Sequence, residues 1–262
     1  MRWWMWRRFQ KNKKLKKFKF MKSTISDQEV EKFSRIADEW WSETGKFKPL
    51  HKFNPIRISY IREKIEQHFT LDYNLKILDV GCGGGLVAEP FARMGASITA
   101  IDASEKNIAV AQIHAQKSDL KINYLVASAE ELAAKGEQFD VVFALEIIEH
   151  VADVEQFVAS CAKLLKPNGL LFIATLNRTL KSLALAKFAV EYVLRWLPAG
   201  THDWNKFLKP SEINSHATAC GLELKEITGF TYNLINDQWK RNSADLDINY
   251  AMVFTKKYTK AT

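Results

Sequence analysis

The 262 residues, 47% apolar and 26% charged, fit one soluble enzyme domain with a single sizeable core, and no apolar run is long enough to span a bilayer. The net charge of +8 is not the signature of a nucleic-acid-binding body, because residues 1–20 hold nine Lys or Arg and no acid, which leaves the remainder at about −1. Cys82, Cys161 and Cys220 are widely spaced with no C-x-x-C pair, which excludes a disulfide framework and a zinc knuckle and fits ordinary buried thiols in a reducing compartment.

The basic segment 1–20 interleaves its charges with Trp3, Trp4, Trp6, Phe9, Phe18 and Phe20. That mixture suits an anionic membrane surface. A transit peptide is a second reading, although Ser and an apolar signal core are missing. Met21, opening Met-Lys-Ser-Thr-Ile-Ser, offers a third: a later start that leaves residues 1–20 without function. Residues 21–262 read as one domain.

Asp27 to Thr44 has helical spacing through Val30, Phe33, Ile36, Ala37, Trp40 and Trp41, and Asn54-Pro55 offers an N-cap and a first-turn proline for a helix to about Phe69. These predict an N-terminal helical cover. Strands at 75–80, 96–102, 122–127, 139–145 and 169–176 then alternate with helices at 84–94, 104–117 and 153–165, which specifies a mostly parallel sheet with helices on both faces. Lys166-Pro167-Asn168-Gly169 supplies the turn that stops the last of these helices. A helix over Glu212 to Cys220 and strands near Glu223 to Tyr232 and Asp247 to Thr255 close the sheet.

Chemistry concentrates at Ile77 to Gly85, an apolar strand running into a glycine cluster, with Asp102 at the end of the next apolar run. Consecutive glycines after a buried strand let backbone approach a flat polar ligand without an intruding Cβ. Glycines at 81, 83 and 85 give G-x-G-x-G, whereas the dinucleotide fingerprint wants its third glycine at Leu86. S-adenosylmethionine is therefore favoured over NAD. It has no pyrophosphate to seat on a helix N-terminus, and it needs an acid for its ribose, which Asp102 provides.

Leu78-Asp79-Val80-Gly81-Cys82-Gly83-Gly84-Gly85, Phe139-Asp140-Val141-Val142, Leu164, Lys166-Pro167-Asn168-Gly169 and Asp102 together resemble the class I S-adenosylmethionine-dependent methyltransferases. Longer blocks narrow this: Phe47-Lys48-Pro49-Leu50-His51, Asn54-Pro55-Ile56-Arg57, Glu146-Ile147-Ile148-Glu149-His150-Val151, Thr175-Leu176-Asn177-Arg178, Gly200-Thr201-His202-Asp203-Trp204 and Thr228 to Asn233 resemble the ubiquinone biosynthesis O-methyltransferases, from about Glu29 to Tyr250. The resemblance implies a Rossmann-like α/β fold with a seven-stranded sheet, mostly parallel, whose last strand is antiparallel. It implies two O-methylations of polyprenylated phenol or catechol intermediates, one early and one on demethylubiquinol. It also raises membership of a ubiquinone-biosynthesis complex.

By position, the family's cofactor contacts fall on Arg57, Gly81, Asp102 and Leu145. Arg57 can offer a forked guanidinium to the methionine carboxylate, Gly81 admits the backbone contact, Asp102 takes the ribose and Leu145 would lie by the adenine. Ser128 stands where many methyltransferases place an acid for the adenine amino group. For the acceptor, Glu146, Glu149 and His150 are the candidate catalytic residues. Their spacing puts them near one face if a helical turn begins after the fourth strand, where two carboxylates and an imidazole could hold a hard cation. The resemblance points to Mg²⁺, as in the family's eukaryotic members, stabilising the phenolate. His150 as general base is the alternative, and acids favouring a helix N-terminus are the purely structural one.

Leu180 to Leu197 carries Lys187, Glu191 and Arg195 as a narrow polar stripe on an otherwise apolar helix that includes Phe188, Val193 and Trp196. Such a helix can pack wholly on the sheet. Its place in an insertion at about 178–208, together with a lipid-borne acceptor, points instead to an interfacial helix on anionic lipid. The expected location is the bacterial cytoplasm, peripheral on the inner membrane, with the matrix face of the mitochondrial inner membrane as alternative. Another small-molecule S-adenosylmethionine-dependent methyltransferase is the alternative function, whereas nucleic-acid methylation is disfavoured because the body has neither a basic stripe nor an Asn-Pro-Pro-Tyr-type base pocket.

Overall fold

The computed structural model describes residues 23–184, 203–233 and 235–257. The basic tail 1–20 and most of the apolar stretch from Leu180 to Leu197 lie outside the described residues, which include only its start, a single turn at Leu180–Ser182. Among the described residues no helix is long and apolar enough to cross a membrane.

One mixed sheet organises the chain, in the order β3-β2-β1-β4-β5-β8-β6-β7. Strands β1 (Lys76–Val80), β2 (Ser97–Asp102), β3 (Asn123–Val126), β4 (Phe139–Leu145) and β5 (Leu165–Leu176) are parallel. The closing strand β8 (Asn249–Lys256) runs antiparallel between β5 and β6 (Leu222–Asn233), as expected. Among the described residues the sheet has eight strands rather than seven, because β7 (Gln238–Asn242) folds back on β6. Only Trp239 of β7 is partly buried, so this edge strand has no apolar alternation to read.

Helices cover both faces. On one, α2 (Lys48–Glu66), α3 (Ala88–Arg93) and α4 (Glu105–Lys117) bury Ile61, Phe91 and Ile108 against the sheet. On the other, α5 (Ala129–Ala134), α6 (Val154–Leu164) and α8 (Pro210–Ala219) bury Leu132, Val158 and Ile213. The turn Leu180–Ser182 counts as α7. The sequence reading missed α5, whose signal is the Ser128-x-x-Glu131 capping box. Cys82 and Cys161 are buried thiols, whereas Cys220 is half-buried.

Three boundaries move for physical reasons. The first expected helix stops early, as α1 (Asp27–Ser34) followed by a short turn at Ala37–Glu39. The break lets Trp40 donate from Nε1 to Asn107 at 3.0 Å and Trp41 to the Gly84 carbonyl at 2.9 Å. Next, α2 begins at Lys48 with Pro49 in its first turn, so Asn54 is not an N-cap and Pro55 sits inside the helix. Asn54 instead bonds the Leu86 carbonyl and receives Arg57. Finally, β5 begins at Leu165, and Pro167 to Gly169 form an irregularity in its pairing with β4, with Asn168 at a φ of 62°.

The register carries the functional consequence. Val80 lies beside Ile101 on one side and Ala144 on the other. Gly81, Asp102 and Leu145 therefore emerge together at the carboxyl edge, at the switch point between β1 and β4 where open α/β sheets bind ligands.

Candidate active site

Backbone conformation at the turn after β1 explains its glycines. Gly81 and Gly83 have φ of 72° and 54°, and a Cβ on Gly81 would stand 2.7 Å from Ile147, while one on Gly83 would run into the Trp40 ring. The Gly83 N–H donates to Asp102 at 2.9 Å, and the same carboxylate accepts the Ser104 N–H at 2.8 Å and the Asn107 amide at 3.2 Å. Burial pushes the Asp102 carboxyl above its ordinary range against the pull of these donors.

A cleft enclosing about 780 Å³, counting its part open to solvent, lies over this turn. Gly81, Gly83, Asp102, Glu146 and His150 line it, and residues Thr24 to Trp40 roof it. The roof is fastened from several sides. Thr24 Oγ1 donates to Glu130 at 2.8 Å, the Ala152 N–H donates to the Thr24 carbonyl at 2.8 Å, and Ser34 meets Ser104 at 2.6 Å. Trp40 stacks on Phe47 at 3.7 Å between centroids, and Trp41 on His114 at 3.4 Å.

Arg57 is 3% exposed behind the cleft, reaching Glu146 at 3.4 Å and donating to Asn54, with its Nε buried and unpartnered. Burial lowers its pKa, offset by Glu146, Asp79 and Glu149. Asp79, buried beneath the turn with one oxygen unpartnered, is raised to about 7, chiefly by burial and against the field of Arg57. Glu146 is likewise raised to about 7, by burial first and by Glu149 second. Its φ of 54° is the left-handed region, a strained geometry for a side-chain-bearing residue.

The expected helical face after β4 does not form. Ile148–His150 is a single 3₁₀ turn that sends the three candidates to three partners. Glu146 faces Arg57, Glu149 accepts Thr175 Oγ1 at 2.8 Å, and His150 Nδ1 bonds Glu29 at 3.0 Å. Among the described residues no three such side chains are grouped to hold a metal ion. So disposed, Glu146, Glu149 and His150 do not fit Mg²⁺. Leu145 is buried at the end of β4, and neither it nor Glu149 is part of the cleft wall.

Several site residues had no sequence signal of their own. Glu29 is held well below the carboxylate range, first by His150, and also accepts Lys206 at 2.9 Å. It thereby links the roof to His150 and to the last residues of the insertion. Glu130 is buried in the cleft wall two residues beyond Ser128, and Ser128 caps α5.

Known proteins resemble the chain in sequence and in fold. Residues 78–173 match the methyltransferase domain family model. The chain is 51% identical over 245 residues to the ubiquinone biosynthesis O-methyltransferase of Rhizobium johnstonii, covering 91% of this chain and 98% of that protein. It is 52% identical over 239 residues to that of Bartonella bacilliformis, covering 88% and 96%. Among solved structures, magnesium protoporphyrin IX methyltransferase from Synechocystis PCC 6803 with bound SAM superposes with a TM-score of 0.62 at 16% identity, over 90% of this chain and 100% of that one. The PH0226 protein from Pyrococcus horikoshii gives 0.60 at 15%, over 86% and 99%. At such identities these two establish the fold alone.

Proposed function

This chain belongs to the ubiquinone biosynthesis O-methyltransferase family, and from that membership we propose that it methylates phenolic oxygens of polyprenylated ring intermediates, including demethylubiquinol, with S-adenosylmethionine as donor. One observation carries the donor: the bond from Gly83 N–H to Asp102 beside a turn that excludes Cβ atoms. Asp102 takes the ribose hydroxyls, Gly81 admits backbone contact, and Arg57, with an unpartnered Nε, takes the amino-acid carboxylate. Leu145, the family's remaining donor position, is buried at the end of β4 outside the cleft wall. When bound, the donor supplies an electrophilic methyl on a sulfonium whose sulfur departs as a neutral thioether.

The protein then has to position the phenol and remove its proton. His150 suits this. With Nδ1 donating to Glu29, Nε2 is the ring's remaining basic nitrogen, and it accepts the phenolic proton as the oxygen bonds the methyl carbon. Glu146, with its pKa near 7, orients the acceptor's second oxygen and exchanges Arg57 with the donor carboxylate. Glu149 holds the turn through Thr175. Mg²⁺ would supply Lewis-acid stabilisation of the phenolate, but it enters no step here, since its candidate ligands are engaged separately. Assay after chelation and Mg²⁺ return reads its role, and full activity without metal removes it.

Residues 21–262 act as one domain in this reading, with the insertion at about 178–208 as cover and lipid contact. Leu180, 78% exposed where the insertion begins, and a lipid-borne acceptor support peripheral binding to anionic membrane. The deciding experiment is methyl transfer from labelled donor to a polyprenyl catechol and to demethylubiquinol, with chains starting at Met1 and at Met21. Transfer to neither acceptor overturns the reading.

A further inference from the structure

Trp40 lies in the roof with its ring against the glycine turn, where a Cβ on Gly83 or Gly84 would run into it. Its indole N–H donates to Asn107 Oδ1 at 3.0 Å, and Asn107 Nδ2 donates in turn to Asp102 at 3.2 Å. All three side chains line the cleft. An indole can only donate and an ionised carboxylate can only accept, so the two partners together fix which end of the amide faces which way. Asn107 is 2% exposed, and an unpaired amide oxygen at that depth carries a desolvation penalty. The other donors to Asp102 among the described residues are the backbone N–H groups of Gly83 and Ser104, placed by the path of the chain. Asn107 is the side-chain donor of the three, and its own backbone N–H is held separately by Ser104 Oγ at 3.2 Å.

We propose that Trp40 and Asn107 are positioning residues for the donor's ribose: the indole N–H holds the amide with its NH₂ toward Asp102, and the amide holds the carboxylate toward the ribose hydroxyls. This rests on the S-adenosylmethionine reading above. Without the indole N–H the amide has two arrangements, and both are poor. One leaves Oδ1 buried and unpaired, and the other turns Oδ1 toward the carboxylate, setting two acceptors against each other. Either arrangement loosens Asp102. The roof thereby acts on the ribose without touching it. Packing of the same ring on the glycine turn and on Phe47 acts instead on the donor as a whole, with or without its hydroxyls.

Calorimetry with S-adenosylhomocysteine and with its analogue lacking both ribose hydroxyls separates these roles, because a loss of packing weakens both ligands and cancels in their ratio. The full chain should prefer S-adenosylhomocysteine by about 10-fold or more. Trp40→Phe keeps a ring over the turn but removes the N–H, and should cut that preference about three- to tenfold. Asn107→Leu, nearly isosteric, should cut it as far, and the double variant should differ from Asn107→Leu by no more than about twofold, since both act along one path. Should one single variant fail to fold, the other decides. An undiminished preference in the folded variants overturns the proposal while leaving the donor reading intact. Absence of S-adenosylhomocysteine binding by the unaltered chain overturns both.

Discussion

Asp102 accepts the backbone N–H of Gly83 at 2.9 Å, which makes the end of β2 and the glycine turn after β1 a single unit. Asp102→Asn keeps the shape but sets an amide N–H among donors. We expect S-adenosylhomocysteine affinity to fall about 10- to 100-fold, the size of a lost charged hydrogen bond. Calorimetry giving affinity within twofold of the unaltered protein would remove Asp102 from the site.

Gly83→Ala places a methyl against the Trp40 ring at a φ of 54°. Overpacking of this kind costs about 1–3 kcal/mol, before the backbone penalty. The thermal midpoint should drop and donor affinity with it. Adding Trp40→Ala removes the obstacle, so the double variant should bind better than Gly83→Ala alone. Strict additivity of the two losses would show that the roof does not press on the turn.

Arg57 and Glu146 face each other at 3.4 Å with Arg57 almost fully buried. Arg57→Met leaves Glu146 uncompensated and should destabilise the fold by about 3–5 kcal/mol in denaturant titrations. Glu146→Gln added to Arg57→Met should recover part of that stability without recovering donor affinity. Recovery of both would remove Arg57 as the carboxylate contact.

Glu146 and Asp79 are both raised to about 7. In the fold they keep protons that the unfolded chain has already released, so the native state binds more protons between the ordinary carboxylate range and neutrality. Their contribution is fullest below that range and declines as pH rises to about 7. Glu146→Gln should flatten part of this decline, by no more than roughly 2–3 kcal/mol, leaving the share of Asp79. Parallel stability curves for the two proteins between about pH 5 and 7 would contradict the buried charge at Glu146.

Polar replacement of Phe188, Val193 and Trp196 should abolish flotation with anionic liposomes while methyl transfer to a short, water-soluble catechol continues. Unchanged flotation would move the lipid contact elsewhere.

What the sequence made legible follows from what is local. The strands β1 to β5 are apolar runs, and the glycine spacing with Asp102 marks the turn over which the cleft lies. The roof was predicted as helix, but its path is set by two indole N–H groups seeking acceptors at Gly84 and Asn107, which no periodicity records. The partner of His150 lies 121 residues away in sequence, and Glu130 meets Thr24 across 106. Such pairings exist only once the chain is folded, and the expected common face of Glu146, Glu149 and His150 does not form because a 3₁₀ turn directs them to Arg57, Thr175 and Glu29.

The position of β8 has a consequence for how the chain is made. Strands β1 to β4 are complete once Leu145 is synthesised, yet among the described residues β5 and β6 are joined through Asn249–Lys256, which follows both in the chain. The glycine turn and Asp102 can assemble on the nascent chain, while the far half of the sheet waits on a long-range closure, the slow class of contact. A polypeptide released short of Asn249 would expose two unpaired strand edges, so a premature stop just before β8 is predicted to yield aggregation rather than a weakened enzyme.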